Sequence, residues 1–177
     1  EKTLLNGVKY PKINTTYVIP KCYINLSGQP IYNIVNQYKI NIYHELVVLV
    51  DDLNLPFGTV HIKRNKIQSG GHNGIKSIYS TLQPYTEFIV IKIGIGPLIK
   101  SKIEKKRKKK IIATTKVPKN VRKYVLDKFK DIEQEQIQIL LEYIKDIVQV
   151  LIHRDMEYAT QICNGQNNLF LELEQFQ

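Results

Sequence analysis

Residues 45–58 read ELVVLVDDLNLPFG. The five residues 46–50 form an unbroken apolar run rather than an alternating one, as expected for a strand covered on both faces. On this reading the strand ends at Asp51-Asp52, and Pro56 and Gly58 break the chain before a weaker strand at 59–63. Residues 87–93 (EFIVIKI) predict another strand, stopped by Gly94, Gly96 and Pro97, and residues 16–20 (TYVIP) an earlier one. Helices are predicted in between. Ser27 is placed to cap a helix over 28–38, with Pro30 tolerated in its first turn. Ile75, Ile78, Tyr79 and Leu82 recur at helical spacing after Gly74. Strands alternating with helices imply an α/β layer fold.

The last third changes character. Asn120 can cap a short helix bearing Val121, Tyr124, Val125 and Phe129. Asp131, with Gln134 three residues on, reads as the capping box of a longer helix. Its apolar stripe is Ile137, Leu140, Leu141, Ile144, Val148 and Leu151, the pattern of a helix packed on a sheet. Residues 165–177 show no clear period, so the expected organisation is a domain over 1–164 followed by a tail.

At 177 residues, 43% hydrophobic and 24% charged, the composition is that of a folded domain with a real core. No apolar run approaches the ~18–20 residues that cross a bilayer. Cys22 and Cys163 fit no metal-binding spacing and are expected as free thiols of an intracellular protein. The net charge of +10 points to a polyanionic partner. Most of it is local: Lys100, Lys102, Lys105, Lys106, Arg107, Lys108, Lys109 and Lys110 oppose only Glu104. The run at 98–112 is expected as a basic loop, either solvated or holding a phosphate backbone without reading sequence.

Three polar clusters interrupt the core-building pattern: Asn25-Leu26-Ser27-Gly28, Asp51-Asp52-Leu53-Asn54-Leu55-Pro56, and Gly70-Gly71-His72-Asn73-Gly74. Ligands of open α/β sheets collect beyond the carboxyl ends of strands. An Asn amide both donates and accepts, which suits a peptide group. A carboxylate leaving a buried strand can orient a histidine and steady its cation. Amides at a helix N-terminus attract an anion. Taken alone, each cluster also has a plain structural use in caps and turns. Together they describe a pocket for a polar, anionic substrate with acid/base potential.

The blocks PKCYINLSGQPI (20–31), ELVVLVDDLNLPFG (45–58), SGGHNGIKSI (69–78), IKIGIGP (91–97) and VRKYVLDKF (121–129) follow one another in an order that resembles the bacterial-type peptidyl-tRNA hydrolases. The resemblance implies a single-domain three-layer α/β/α fold with a twisted mixed sheet, lacking the family's N-terminal strand. It implies hydrolysis of the ester between a peptide and the terminal ribose of tRNA. Asp51 matches the aspartate that charges the family's histidine base, Asn25 the asparagine beside the substrate carbonyl, and Asn73 the one that holds the peptide. His72 and Gly71 fall at the mouth of that pocket, and Lys63, Arg64, Lys105, Lys106 and Arg107 are candidate tRNA contacts. No metal or organic cofactor is implied. The partners would be peptidyl-tRNA and its phosphate backbone, with the ribosome as a further association, for a monomer in the cytoplasm or in a mitochondrion or plastid.

The chain departs from the family at its start. The GLGNPG turn and the His-Asn pair that supplies the general base have no counterpart before Lys21, and the first histidine is His44. The expectation is that an upstream segment carries them. The competing readings are supply by another chain, a relative that binds RNA without hydrolysis, and His72 as a substitute base. Ile24 stands where the family has methionine, and Val90 and Lys92 stand where it has arginines.

Overall fold

The structure, a computed structural model, describes residues 3–5, 8–10, 15–66, 71–83, 87–97, 99–105, 108–165 and 169. Strand β3 (Val47–Pro56) begins in the apolar run and continues through Asp51 and Asp52, which therefore lie inside the strand and not at its end. Pro56, which cannot donate to a ladder, is its last residue. Strands β4 (Val60–Lys66) and β5 (Glu87–Gly96) complete a three-stranded sheet in the order β3-β5-β4. The middle strand is the one whose apolar residues run on without alternation: Phe88, Ile89, Val90 and Ile91 are all buried.

Contacts divide the chain into two compact units, and each of these three strands contributes to both. The unit made of 13–50 and 63–91 contains α1 (Gly28–Tyr38), α2 (Ile42–Glu45) and α3 (Asn73–Thr81). Its core joins Val35 and Ile42 to Ile75, Ile78, Tyr79 and Leu82 of the α3 region and to Phe88 and Val90 of β5. Helix α1 spans the predicted residues, but Ser27 does not cap it: its backbone is already helical and its hydroxyl donates to Ile24 O at 2.8 Å. Residues 16–20, expected as a strand, form no helix or strand. Tyr17 is 72% exposed and Ile19 88%, so β-branched propensity has no sheet face to pack on here.

The unit made of 1–12, 51–62 and 92–177 holds α4 (Val121–Leu126), α5 (Asp131–His153) and α6 (Met156–Gly165). Asn120 caps α4 as predicted, accepting from Lys123 N at 3.0 Å. Phe129 lies beyond that helix and packs on Phe57, ring centroids 5.8 Å apart. The cap of α5 is Lys130, one residue before Asp131, and its N–H donates to the carboxylate of Glu133 at 2.9 Å, not to Gln134. Leu140, Ile144, Val148 and Leu151 of the predicted stripe are buried, whereas Leu141 is half exposed. The Asn164 side chain accepts from Ile62 N and donates to Ile62 O, both at 2.9 Å. This amide fork satisfies the outer edge of β4 as a neighbouring strand would. Gly94 is required beside Pro56, because a Cβ there would stand 2.1 Å from the Pro56 carbonyl oxygen.

Two further pairs of strands belong to this unit. Strands β1 (Thr3–Leu5) and β2 (Val8–Tyr10) are antiparallel, Thr3 opposite Tyr10. The basic run, expected as a loop, forms β6 (Ile99–Lys105) and β7 (Lys108–Thr114), paired antiparallel from Ile99–Thr114 to Lys105–Lys108. Ile99, Ile103, Ile111 and Ile112 interleave the lysines and supply the strand propensity that a pure charge run lacks. Both cysteines are free: Cys22 is exposed, and Cys163 is buried, where burial pushes its thiol up to about 11.

Candidate active site

The Asn25 cluster begins with a short 3-10 helix, Ile24–Leu26, closed by Leu26 N donating to Tyr23 O at 2.8 Å. This presents Asn25 on an exposed turn. The next residue but two, Gly28, is buried against α3: its N–H donates to Ser77 Oγ at 2.9 Å, and a Cβ would lie 2.2 Å from the Ser77 carbonyl oxygen. No side chain but hydrogen lets α1 start this close to α3.

His72 caps α3. Its Nδ1 accepts from Ile75 N at 3.2 Å, so Nδ1 carries no proton and the neutral ring holds its hydrogen on Nε2. The imidazole thus presents a donor and not a basic nitrogen at Nε2. Asn73 is the first helical residue and is exposed, and Gly71 precedes it at φ 88, a conformation that favours glycine. At Gly74 an added Cβ would touch both the His72 ring and the Ile24 side chain at 3.0 Å. Ile24 and His72 therefore close over Gly74, and the turn carrying Asn25 abuts the helix start carrying Asn73. Three of the sequence candidates are brought together in one unit.

Arg64, expected as a surface phosphate contact, stacks on Tyr43 with its guanidinium carbon 3.8 Å from the ring centroid and donates to the Tyr43 carbonyl. Lys63 beside it is exposed. Lys106 and Arg107 lie outside the described residues, as does the side chain of Lys105.

Asp51 belongs to the other unit and is half-buried within β3. Its neighbour Asp52 forms an ion pair with Lys92 of β5, and accepts from Asn54 N at 2.8 Å. Burial pushes the Asp52 carboxyl up, but the Lys92 ammonium and the Asn54 N–H together hold it below the usual carboxylate value. Lys92, at a position where the family has an arginine, is thus engaged with the protein itself. Neither this pair nor the Arg64–Tyr43 stack was visible in the sequence: strand register joins Asp52 to Lys92 across 40 positions, and Arg64 of β4 reaches Tyr43 of α2 across 21. Among the described residues no group of three or more His, Cys, Asp or Glu could hold a metal ion, and no helix is long and apolar enough to cross a membrane.

The sequence model of the peptidyl-tRNA hydrolase family matches residues 2–169. The chain belongs to the peptidyl-tRNA hydrolase family. It is 34% identical over 164 residues to the peptidyl-tRNA hydrolase of Sulfurihydrogenibium sp., covering 93% of this chain and 76% of that one. To the peptidyl-tRNA hydrolase of Fusobacterium nucleatum it is 32% identical over 151 residues, 85% of this chain and 68% of the other. The crystal structure of peptidyl-tRNA hydrolase from Acinetobacter baumannii shares the fold, with a TM-score of 0.62 at 23% identity over 84% of this chain. The chain spans 65% of the length of that solved protein. The α/β fold and the family implied by the sequence blocks are both borne out, and the chain is a member of a family of hydrolases.

Proposed function

We propose that this member of the peptidyl-tRNA hydrolase family cleaves the ester between peptide and tRNA through Asn25, Asp51 and Asn73. The observation that supports this reading is the closure of Ile24 and His72 over Gly74, which sets Asn25 and Asn73 on abutting elements. Water, deprotonated by an imidazole paired with Asp51, attacks the ester carbonyl. The Asn25 amide donates to the carbonyl oxygen as it becomes negative, and the tRNA hydroxyl leaves. Asn73 holds the peptide backbone. His72 supports the site as the cap of α3 and through its Nε2–H, a role at odds with that of the base because its Nδ1 already accepts from Ile75 N. Gly71 and Lys63 on the one hand, and the lysine-rich β6–β7 ribbon on the other, contact substrate and tRNA, with residues 1–164 acting as one functional domain in the cytoplasm.

The test compares the 177-residue chain and the product of the full reading frame on peptidyl-tRNA. Asp51→Asn in the active form should lower turnover ~10²–10⁴-fold, the usual contribution of a positioned base. Near-normal turnover in that variant refutes the assignment. Salt-sensitive RNA binding by the full product without turnover would instead favour a non-catalytic RNA-binding protein.

A further inference from the structure

A cavity of about 600 Å³ opens within the unit made of 13–50 and 63–91, in a part of it lined by none of the candidate active-site residues. Its walls come from the end of α1, the connection into α2, and the segment leading to β5. The volume is that of a small-molecule site. Aromatic rings, amides, one cation and one carboxylate converge on it: Tyr32 and Tyr43, Asn36 and Gln83, Lys39, and Glu87.

Two features mark this cavity as more than a surface dip. Lys39 has φ 53 and is the only non-glycine residue at positive φ among the described residues. It ends α1 at a position where glycine is the residue of choice and a side chain costs stability. The lysine therefore stands against a local conformational preference, and it lines the cavity with no ion pair among the described residues. The second feature is Tyr43. Arg64 covers its ring at 3.8 Å, and the His44 ring meets it edge-on at 4.8 Å. The tyrosine is held as a preorganised platform.

We propose that this cavity binds a nucleotide bearing an exocyclic amino group, its base between the tyrosines and amides and its phosphate on Lys39. Each wall group has a use in that ligand. A base stacked on an aromatic side chain contributes affinity whatever its sequence. Among the described residues neither the Asn36 nor the Gln83 side chain has a hydrogen-bond partner, so their amides can pair with a base edge. The Asn41 side-chain oxygen already accepts from His44 N at 3.2 Å, which leaves its NH₂ to donate. The Glu87 carboxylate in the lining repels a phosphate, which leaves Lys39 as the group that takes it. A neutral sugar would use the rings and amides but leave Lys39 without a counter-charge. A free nucleotide and an unpaired nucleotide of RNA present the same chemistry here, and the test separates the two sources.

Amide NMR of the labelled protein, titrated with AMP, adenosine, ribose 5-phosphate and a short oligoadenylate, reads binding directly and does not depend on hydrolysis. AMP should shift the amides of Asn36, Lys39, Asn41 and Gln83 and bind about tenfold tighter than adenosine, the value of one charge-assisted contact. Lys39→Gly should lose that tenfold and yet melt no lower than the parent, because glycine is at ease at positive φ. Oligoadenylate binding at least tenfold tighter than AMP at the same amides identifies RNA as the source; equal affinity identifies the free nucleotide. Absence of shifts at millimolar AMP and oligoadenylate overturns the proposal. Equal affinity of AMP and adenosine, or an unchanged affinity in Lys39→Gly, overturns the assignment of Lys39 to the phosphate.

Discussion

Lys92 reaches Asp52 across 40 positions of sequence, and both side chains retain only 18% and 10% of their exposure. A pair so placed lies between the exposed ion pairs that contribute almost nothing and the buried ones whose rupture is severe, so Lys92→Met should cost about 1–3 kcal/mol. The sign of its pH dependence follows from the lowered Asp52 carboxyl. A depressed folded value contributes stability that is present above the ordinary carboxylate value of 3.8 and is lost as the pH falls through the folded one. Urea unfolding of parent and variant should therefore differ near neutral pH and converge as the pH falls below the folded carboxyl value. A gap that stays constant into acid would show that the carboxylate charge is not involved. Asp51 was legible in the sequence as a carboxylate following an apolar run, and Asn25 and Asn73 as polar breaks in the pattern. The partner of Asp52 was not, since adjacent residues of a strand face opposite ways and only the register of β3 on β5 decides what each one meets.

Helix α1 was readable to the residue because apolar periodicity, Pro30 in the first turn and a polar stretch at each end agree. Its first residue makes the sharper prediction. Gly28→Ala would drive a methyl group into the Ser77 carbonyl and the Thr81 hydroxyl, each 2.2 Å from the new atom. Backbone oxygen cannot rotate away, so the variant should lose at least the 1–3 kcal/mol of ordinary overpacking, roughly, in chemical denaturation. An alanine variant of parental stability would mean that the two helices do not meet at this point. Strand prediction at 16–20 failed for the complementary reason: a β-branched run carries no instruction about whether a neighbouring strand exists to pair with it. The short β1–β2 pair went unread although Asn6-Gly7, between two β-prone stretches, is the usual hairpin dipeptide.

Over the whole molecule the charge of +10 is set largely by one antiparallel ribbon, eight positive residues against Glu104 between 100 and 110. Composition announced the charge but not its shape, because alternation of lysine with isoleucine is weak until the two strands pair. Deleting 100–110 should weaken tRNA binding and flatten its dependence on salt by roughly 0.7–0.9 log units per phosphate contact removed. Equal slopes with and without the ribbon would leave it as solvated surface. The two thiols divide the molecule in another way. Cys163 is shielded and its thiol holds its proton, while Cys22 stands in the open three residues before Asn25. A maleimide fluorophore would find one of them and not the other, giving a single-colour reporter fixed beside the asparagine, with no cysteine to engineer in or out.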